Sequence, residues 1–289
     1  MGKIFDALEK ASKEDPPPNN KLNEPIFFGK EKYRNNLIDE TKLPKSVTSE
    51  PFSKKEIHIS KQGKYKQKKI LANLSKFTLP ERDILTGEIY RSLSNNLLQK
   101  IQNQSKKSLL IISYNHGEGK TATAINLAIT ITDIKDYRIL LVESDFRYPD
   151  IYKRIGLEQS PGLIDILEGK ISLEAGIKNT TKENLKILTS GILKSHPSKL
   201  FKLKKFKEFI CEAEQLFDLI IFDSPPLSRY SDANILRSQI DSVLLVVESG
   251  KTTWESLHKI ETEFKDKDTE ILGIIFNKHP SPKFYKRKK

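Results

Sequence analysis

The chain reads as an α/β protein: a doubly wound, mostly parallel sheet covered by helices on both faces. Three observations lead there. Residues 109–127, LLIISYNHGEGKTATAINL, place an apolar, β-branched run before a glycine-containing turn and then a helical pattern. Two further runs, RILLVESDF at 138–146 and FDLIIFDSPP at 217–226, are continuously apolar, as strands buried on both faces are, and carry carboxylates at their ends. Strand and helix patterns then alternate along the rest of the chain, the order that builds parallel sheets.

The N-terminal residues stand apart from that core. Gly2–Ser12 puts Ile4, Phe5, Leu8 and Ala11 at the spacing of one helical face, and Pro16–Pro18 stop it. A helix of this length is not stable alone, so residues 1–15 are expected to dock on the core, a partner or a membrane surface. Residues 16–80 are rich in Lys, Asn, Ser and Pro with scattered apolar positions, a basic flexible linker. The folded domain is expected over 81–278, with a basic tail at 279–289.

Within the domain, Ile84, Ile89, Leu93, Leu97, Leu98 and Ile101 mark the buried face of a helix over 84–101. Strand, turn and helix follow over 109–131. Residues 162–169 (GLIDILEG) read as a short helix, 184–189 (NLKILT) as a strand, and the Lys-rich stretch 198–216 as one long amphipathic helix leading into the strand at 218–222. The runs SVLLVV at 242–247 and ILGIIF at 271–276, separated by a helix over 253–264, complete the sheet.

Composition narrows the function classes. The net charge of +12 is unevenly placed: residues 1–80 hold 17 Lys/Arg against 10 Asp/Glu, residues 283–289 hold five Lys/Arg and no acid, and residues 81–282 balance at 28 of each. A neutral core argues against a nucleic-acid face, and basic ends suit either an anionic membrane surface or simple solubilisation of the protein. One cysteine, Cys211, excludes a disulfide framework; lying in a helical stretch, it is expected to be buried. The five histidines show no metal-ligand spacing. No run reaches the roughly 20 apolar residues of a membrane span and no signal-peptide stretch is present, so a cytoplasmic protein is expected.

The chemistry concentrates in Asn115, His116, Gly117, Glu118, Gly119, Lys120, Thr121 and Ala122. Glycines let backbone N–H groups curl around a phosphate. Lys120 then reaches the β- and γ-phosphates, and the Thr121 hydroxyl is placed to ligate Mg²⁺. The following helix adds its N-terminal dipole. The pattern G-x-x-x-x-G-K-[ST] lacks its first glycine, where Tyr114 stands. Glu143, Asp145 and Asp223 end the two apolar runs, where a carboxylate holds Mg²⁺ directly or through water. The expected fold is thus of the P-loop NTPase type.

From Glu88 to Lys278 the chain resembles the bacterial tyrosine autokinase family of capsule and exopolysaccharide synthesis, P-loop ATPases related to the chromosome-partition and septum-positioning proteins. The resemblance is carried by GEGKT at 117–121, SDFRYP at 144–149, GLIDILEG at 162–169, SGILKSHPSKL at 190–200, FDLIIFDSPP at 217–226, SDAN at 231–234, DSVLLVVESGKTT at 241–253 and ILGIIFNK at 271–278. The opening KIFDALEKA is similar to the start of free-standing kinases of the family. Partition ATPases usually carry a lysine where this chain has Asn115, which favours the kinase branch.

The resemblance implies ATP and Mg²⁺ as cofactors, with Thr121, Asp145 and Asp223 organising the metal and Lys120 stabilising the transferred phosphoryl group. It implies Glu143 as acceptor of the tyrosine proton, Arg147 as a countercharge near the phosphates and Asn277 as an adenine contact. The acceptor would be a tail tyrosine, here Tyr285, and the activating partner a membrane-embedded polysaccharide co-polymerase. Three departures accompany it. The family's first acidic position is Asp, here Glu143. The oligomerising motif E-x-x-R-x-x-R reads Glu88, Arg91 and Ser94. The tyrosine cluster is reduced to Tyr285. These departures suit an alternative, an ATP-binding regulatory subunit of a co-polymerase that transfers phosphate poorly. A third reading, a partition-type positioning ATPase, draws on the basic tails.

Overall fold

The apolar runs at 108–112, 139–143, 219–223 and 242–248 form strands because β-branched and leucine side chains pack on both pleated faces at once. The computed structural model describes residues 74, 84–134, 136–194, 196–201, 204–264 and 269–278. The expected N-terminal helix, the linker apart from Leu74, and the tail with Tyr285 lie outside the described residues.

In chain order the elements are α1 (Ile84–Asn103), β1 (Ser108–Ile112), α2 (Lys120–Ile134), β2 (Ile139–Glu143), α3 (Ile151–Ile155), α4 (Leu163–Leu167), α5 (Leu173–Gly176), β3 (Lys178–Asn179) and β4 (Leu185–Leu188). They continue with α6 (Pro197–Phe201), α7 (Lys204–Leu216), β5 (Leu219–Asp223), α8 (Asp232–Arg237), β6 (Ser242–Glu248), α9 (Trp254–Phe264) and β7 (Glu270–Asn277). The seven strands run β3-β4-β2-β5-β1-β6-β7 across one sheet. Six are parallel; β3 pairs antiparallel with β4 at the edge.

Alternate strand residues feed two separate cores. Leu110, Ile112, Leu140, Val142, Ile220 and Phe222 pack on the face that holds α4 and α7. Leu109, Ile111, Ile139, Leu141, Leu219 and Ile221 pack on the face of α1 and α2. Helix α2 is rich in β-branched residues, poor helix formers by themselves. Its helicity comes from burial, with Thr123, Ala124, Ile125, Leu127, Ala128, Ile129 and Ile131 all enclosed between the sheet and α1. On the other face, α7 buries Phe206, Phe209, Ile210 and Ala213 at i, i+3, i+4 and i+7.

The structure departs from expectation in several places. The helix expected over 198–216 is seen as α6 and α7, on either side of residues 202–203, which lie outside the described residues, with Leu200 and Phe201 buried ahead of the Phe206 stripe. Cys211 is exposed, since the helical period that buries Ile210 carries position 211 off the apolar stripe. Leu74, assigned to the linker, is buried in the α1–α2 core. Three short helices, α3, α5 and α8, and the edge strand β3 add to the expected elements; each is too short to set up a period in sequence. In α1, Leu93, Leu97, Leu98 and Ile101 are buried as expected. Ser94 is buried beside them with its hydroxyl unpartnered, while Glu88 and Arg91 form an exposed pair at 4.0 Å.

Candidate nucleotide and phosphoryl-transfer site

In this topology β1 lies between β5 and β6, with β2 on the far side of β5. The carboxyl ends of β1, β2 and β5 therefore converge, the place where open α/β sheets bind ligands. Two serines lock the strand ends together. Ser144 donates to the Asp223 carbonyl through its N–H (2.9 Å) and its hydroxyl (2.6 Å), and Ser224 Oγ donates to the Ile111 carbonyl at 2.8 Å.

The loop from 113 to 119 joins β1 to α2 and ends where the helix begins, at Lys120. Its tip, His116 and Gly117, is exposed; Glu118 and Lys120 are buried; Thr121 and Ala122 are half-buried in the first turn of α2. The sequence-predicted nucleotide loop is thus one continuous cradle at a helix N-terminus. Gly119 has φ +104°, and a Cβ there would overlap the Asn277 amide. Only glycine fits this position, on both counts. Within the loop the Glu118 carboxylate accepts from Asn115 N (3.0 Å) and Nδ2 (3.2 Å) and from Thr252 Oγ1 (2.6 Å). A buried acid thereby becomes the loop's internal frame.

Asp223 ends β5 beside Glu143 of β2 and Ile111 of β1. Thr121 Oγ1 donates to its Oδ2 at 2.7 Å, while Oδ1 is buried without a partner. Burial pushes its carboxyl up to about 7; Lys120 and the Thr121 hydroxyl pull the other way, and the neighbouring Asp145 and Glu143 add to the rise. An enclosed carboxylate oxygen with nothing to bind, next to a threonine hydroxyl, fits a hard cation or its water shell. Asp145 is buried nearby, with Oδ1 accepting the N–H groups of Arg147 (3.2 Å) and Tyr148 (3.0 Å). Burial raises its carboxyl as well, against the pull of the Tyr148 N–H and Lys120.

Glu143 is placed differently from the expectation for a proton acceptor. It is fully buried, and both oxygens are taken: Oε1 by the Tyr152 N–H at 3.2 Å, Oε2 by the Ser190 N–H at 3.0 Å. Burial raises its carboxyl and those N–H groups lower it. These bonds tie β2 to α3 and to the end of β4, so the side chain is a brace. Arg147, expected to face phosphates, pairs through Nε with the buried Asp232 (2.7 Å) and lies 4.0 Å over the Tyr230 ring. Asn277, expected at the adenine, donates from Nδ2 to the Glu118 carbonyl at 2.8 Å.

Residues 92–272 match the family described as AAA domain. Tyrosine-protein kinase YwqD of Bacillus subtilis is 34% identical over 199 residues, covering 69% of this chain and 84% of the relative. Tyrosine-protein kinase CpsD of Streptococcus pneumoniae serotype 4 is 31% identical over 194 residues, covering 66% and 83%. The chain belongs to the bacterial tyrosine-protein kinase family. Solved structures agree. The chimerical protein CapA2B2 superposes with a TM-score of 0.67 at 25% identity, covering 73% of this chain and 91% of that one. The kinase domain of Escherichia coli tyrosine kinase ETK gives 0.63 at 25% identity, covering 68% and 77%. The septum site-determining protein MinD of Pyrococcus horikoshii, complexed with Mg-ADP, shares the fold at a TM-score of 0.53 and 24% identity, covering 61% and 72%.

For a member of this kinase family, the residues that sequence reasoning missed lie around the loop. Asp232, Tyr148, Tyr230, Ser190, Thr252 and Lys278 all touch expected site residues. Asp232, Tyr148, Ser190, Thr252 and Lys278 fall inside runs that carry the family resemblance, but nothing in the runs themselves shows which partner each one meets.

Proposed function

We propose that this protein is an ATP-dependent tyrosine autokinase that regulates capsule or exopolysaccharide polymerisation and export. The observation that carries the reading is the Thr121–Asp223 pair with the free, buried Asp223 Oδ1 beside Lys120 and Asp145. Thr121 and Asp223 would hold Mg²⁺, with Asp145 completing its surroundings. When bound, the metal neutralises charge on the β- and γ-phosphates of ATP. Lys120 adds positive charge where the transferred group would sit, and the α2 N-terminus presents oriented N–H groups; positioning and electrostatics supply most of the rate. The buried Asp223 would ionise fully once this positive charge is in place. Asn115 to Ala122 and Asn277 frame the nucleotide, and Arg147, steered by Asp232, counters charge at the rim. Tyr285, presented by a neighbouring copy, is the proposed acceptor. The proposed partners are a membrane-embedded polysaccharide co-polymerase, other copies of this chain in a homo-oligomer, and an anionic membrane surface met by the basic tails. A cytoplasmic location at the inner face of the membrane follows. Among the described residues no helix is long and apolar enough to cross a membrane.

A second reading, a nucleotide-binding regulatory subunit with weak transfer, draws on one observation: Glu143 is fully buried and each of its oxygens is tethered by a backbone N–H, which holds it away from an incoming tyrosine. One assay separates the two. Full-length protein is incubated with Mg²⁺ and γ-labelled ATP beside Lys120→Ala and Tyr285→Phe, and phosphotyrosine is mapped by mass spectrometry. Label on Tyr285 that both substitutions abolish is the result expected of the autokinase. No label, from protein that still binds ATP and has been supplied with a co-polymerase cytoplasmic segment, would replace the autokinase with the regulatory subunit.

A further inference from the structure

Among the described residues, two non-glycine residues have positive φ: Ser105, in the turn after α1, and Lys278 at +57°. A long side chain in the left-handed region is held there against a cost of about 1 kcal/mol or more, so something must secure it. Lys278 Nζ donates to the Gly117 carbonyl at 2.7 Å and pairs with Glu248 Oε2 at 3.0 Å. Its neighbour Asn277 donates from Nδ2 to the Glu118 carbonyl at 2.8 Å. Two consecutive carbonyls of the phosphate loop are thus capped by two consecutive side chains from the end of β7.

The consequence follows from peptide geometry. In a planar trans peptide the C=O of one residue and the N–H of the next point in opposite directions. Fixing the Gly117 carbonyl therefore aims the Glu118 N–H, and fixing the Glu118 carbonyl aims the Gly119 N–H. Those are N–H groups that a phosphate cradle has to present. Charge works the same way. Glu118 brings a buried carboxylate into a loop meant for anions, and Glu248 stands just outside it. The Lys278 ammonium bridges the loop and Glu248, and Lys251 lies 3.4 Å from the same Glu248 Oε2.

We propose that Lys278 is a positioning residue for the phosphate loop. It sets the Gly117–Glu118 peptide for phosphate binding and supplies a second positive charge at the rim, beyond Lys120. In sequence, Tyr285 follows this residue by seven positions. This inference rests on the nucleotide-binding reading above.

The test uses the full chain, a fluorescent ATP analogue with Mg²⁺, and the variants Lys278→Met, Lys278→Gly and Lys278→Arg. Met removes the charge and the donor; Gly also relieves the backbone; Arg keeps both charge and donor. Met and Gly are expected to weaken binding about tenfold, the loss of one charge-assisted hydrogen bond, while Arg stays within about threefold of wild type. The melting temperature of the nucleotide-free protein should move little for Met, since the tether acts on the loop and not on either core. Wild-type affinity in Met and Gly would overturn the proposal, as would loss in Arg equal to that in Met. A lowered nucleotide-free melting temperature that tracks the affinity loss would reduce Lys278 to a structural residue. Failure of the wild type to bind the analogue would strike the nucleotide reading itself, a result distinct from failure of the variants alone.

Discussion

Replacing Asp223 with Asn should stabilise the nucleotide-free protein at alkaline pH and leave it nearly unchanged in acid. The Asp223 carboxyl is lifted from 3.8 to about 7 by complete burial. The folded state therefore keeps a proton that the unfolded chain has already released between those values. The contribution of this group to stability falls as pH rises through that window and is gone above the upper value. At about 1.36 kcal/mol per pKa unit, roughly three units amount to as much as about 4 kcal/mol. Asn keeps the shape of the protonated acid, and its carbonyl can still accept from Thr121 Oγ1. The variant should then gain on wild type at pH 8, by as much as about 8–16 °C in melting temperature for a domain of this size, and match it near pH 4. Differential scanning calorimetry in metal-free buffer across pH 4–8 reads both limits. A difference independent of pH, or a wild type more stable than Asp223→Asn at pH 8, would refute the argument. The same variant should lose Mg²⁺-dependent nucleotide binding, since the position held free for the cation's shell becomes an amide N–H donor in Asn.

Other substitutions test other parts of the structure. Glu143→Gln turns an amide donor toward one of two backbone N–H donors and should cost about 1–3 kcal/mol in urea unfolding; an unchanged midpoint would mean that the brace does not form. Gly162→Ala places a Cβ onto the backbone of Thr189 and Gly191, and overpacking against backbone should lower stability by about 3 kcal/mol or prevent folding; a variant as stable as wild type would contradict the packing of α4 on the end of β4. Asp232→Ala removes the buried partner of a mostly enclosed arginine and should cost about 2–4 kcal/mol, with Asp232→Asn losing less; chemical denaturation of the pair measures the difference, and equal losses would exclude a charge-based role.

The sheet was readable because its strands are local patterns. Leu109–Ile112, Ile139–Glu143 and Leu219–Asp223 are continuous apolar runs, and nothing beyond their own residues is needed to bury both faces. The phosphate loop was readable for a similar reason: glycine, lysine and threonine occupy fixed offsets before a helix, so turn chemistry and spacing sit within one short segment. Helix α2 is a partial exception. Its β-branched residues are poor helix formers, and its helical state follows from enclosure between α1 and the sheet.

What the residues could not reveal is which atom each one meets. Asp145, Asp223 and Glu143 look alike in sequence, three acids at strand ends. In the fold one holds an unpartnered oxygen, one caps a turn, and one braces β2 to Ser190, 47 residues away. Lys278 reads as an ordinary lysine closing a strand, yet its Nζ reaches the Gly117 carbonyl across 161 residues of sequence. The edge strand β3, at Lys178–Asn179, and Leu74 in the core escaped notice because two residues or one cannot establish a period. Periodicity and turn chemistry are properties of neighbours along the chain, so they fixed the α/β architecture and the place of the phosphate loop. Hydrogen-bond satisfaction and burial depend on residues brought together only by folding, and these assigned the carboxylates and Lys278 their separate parts.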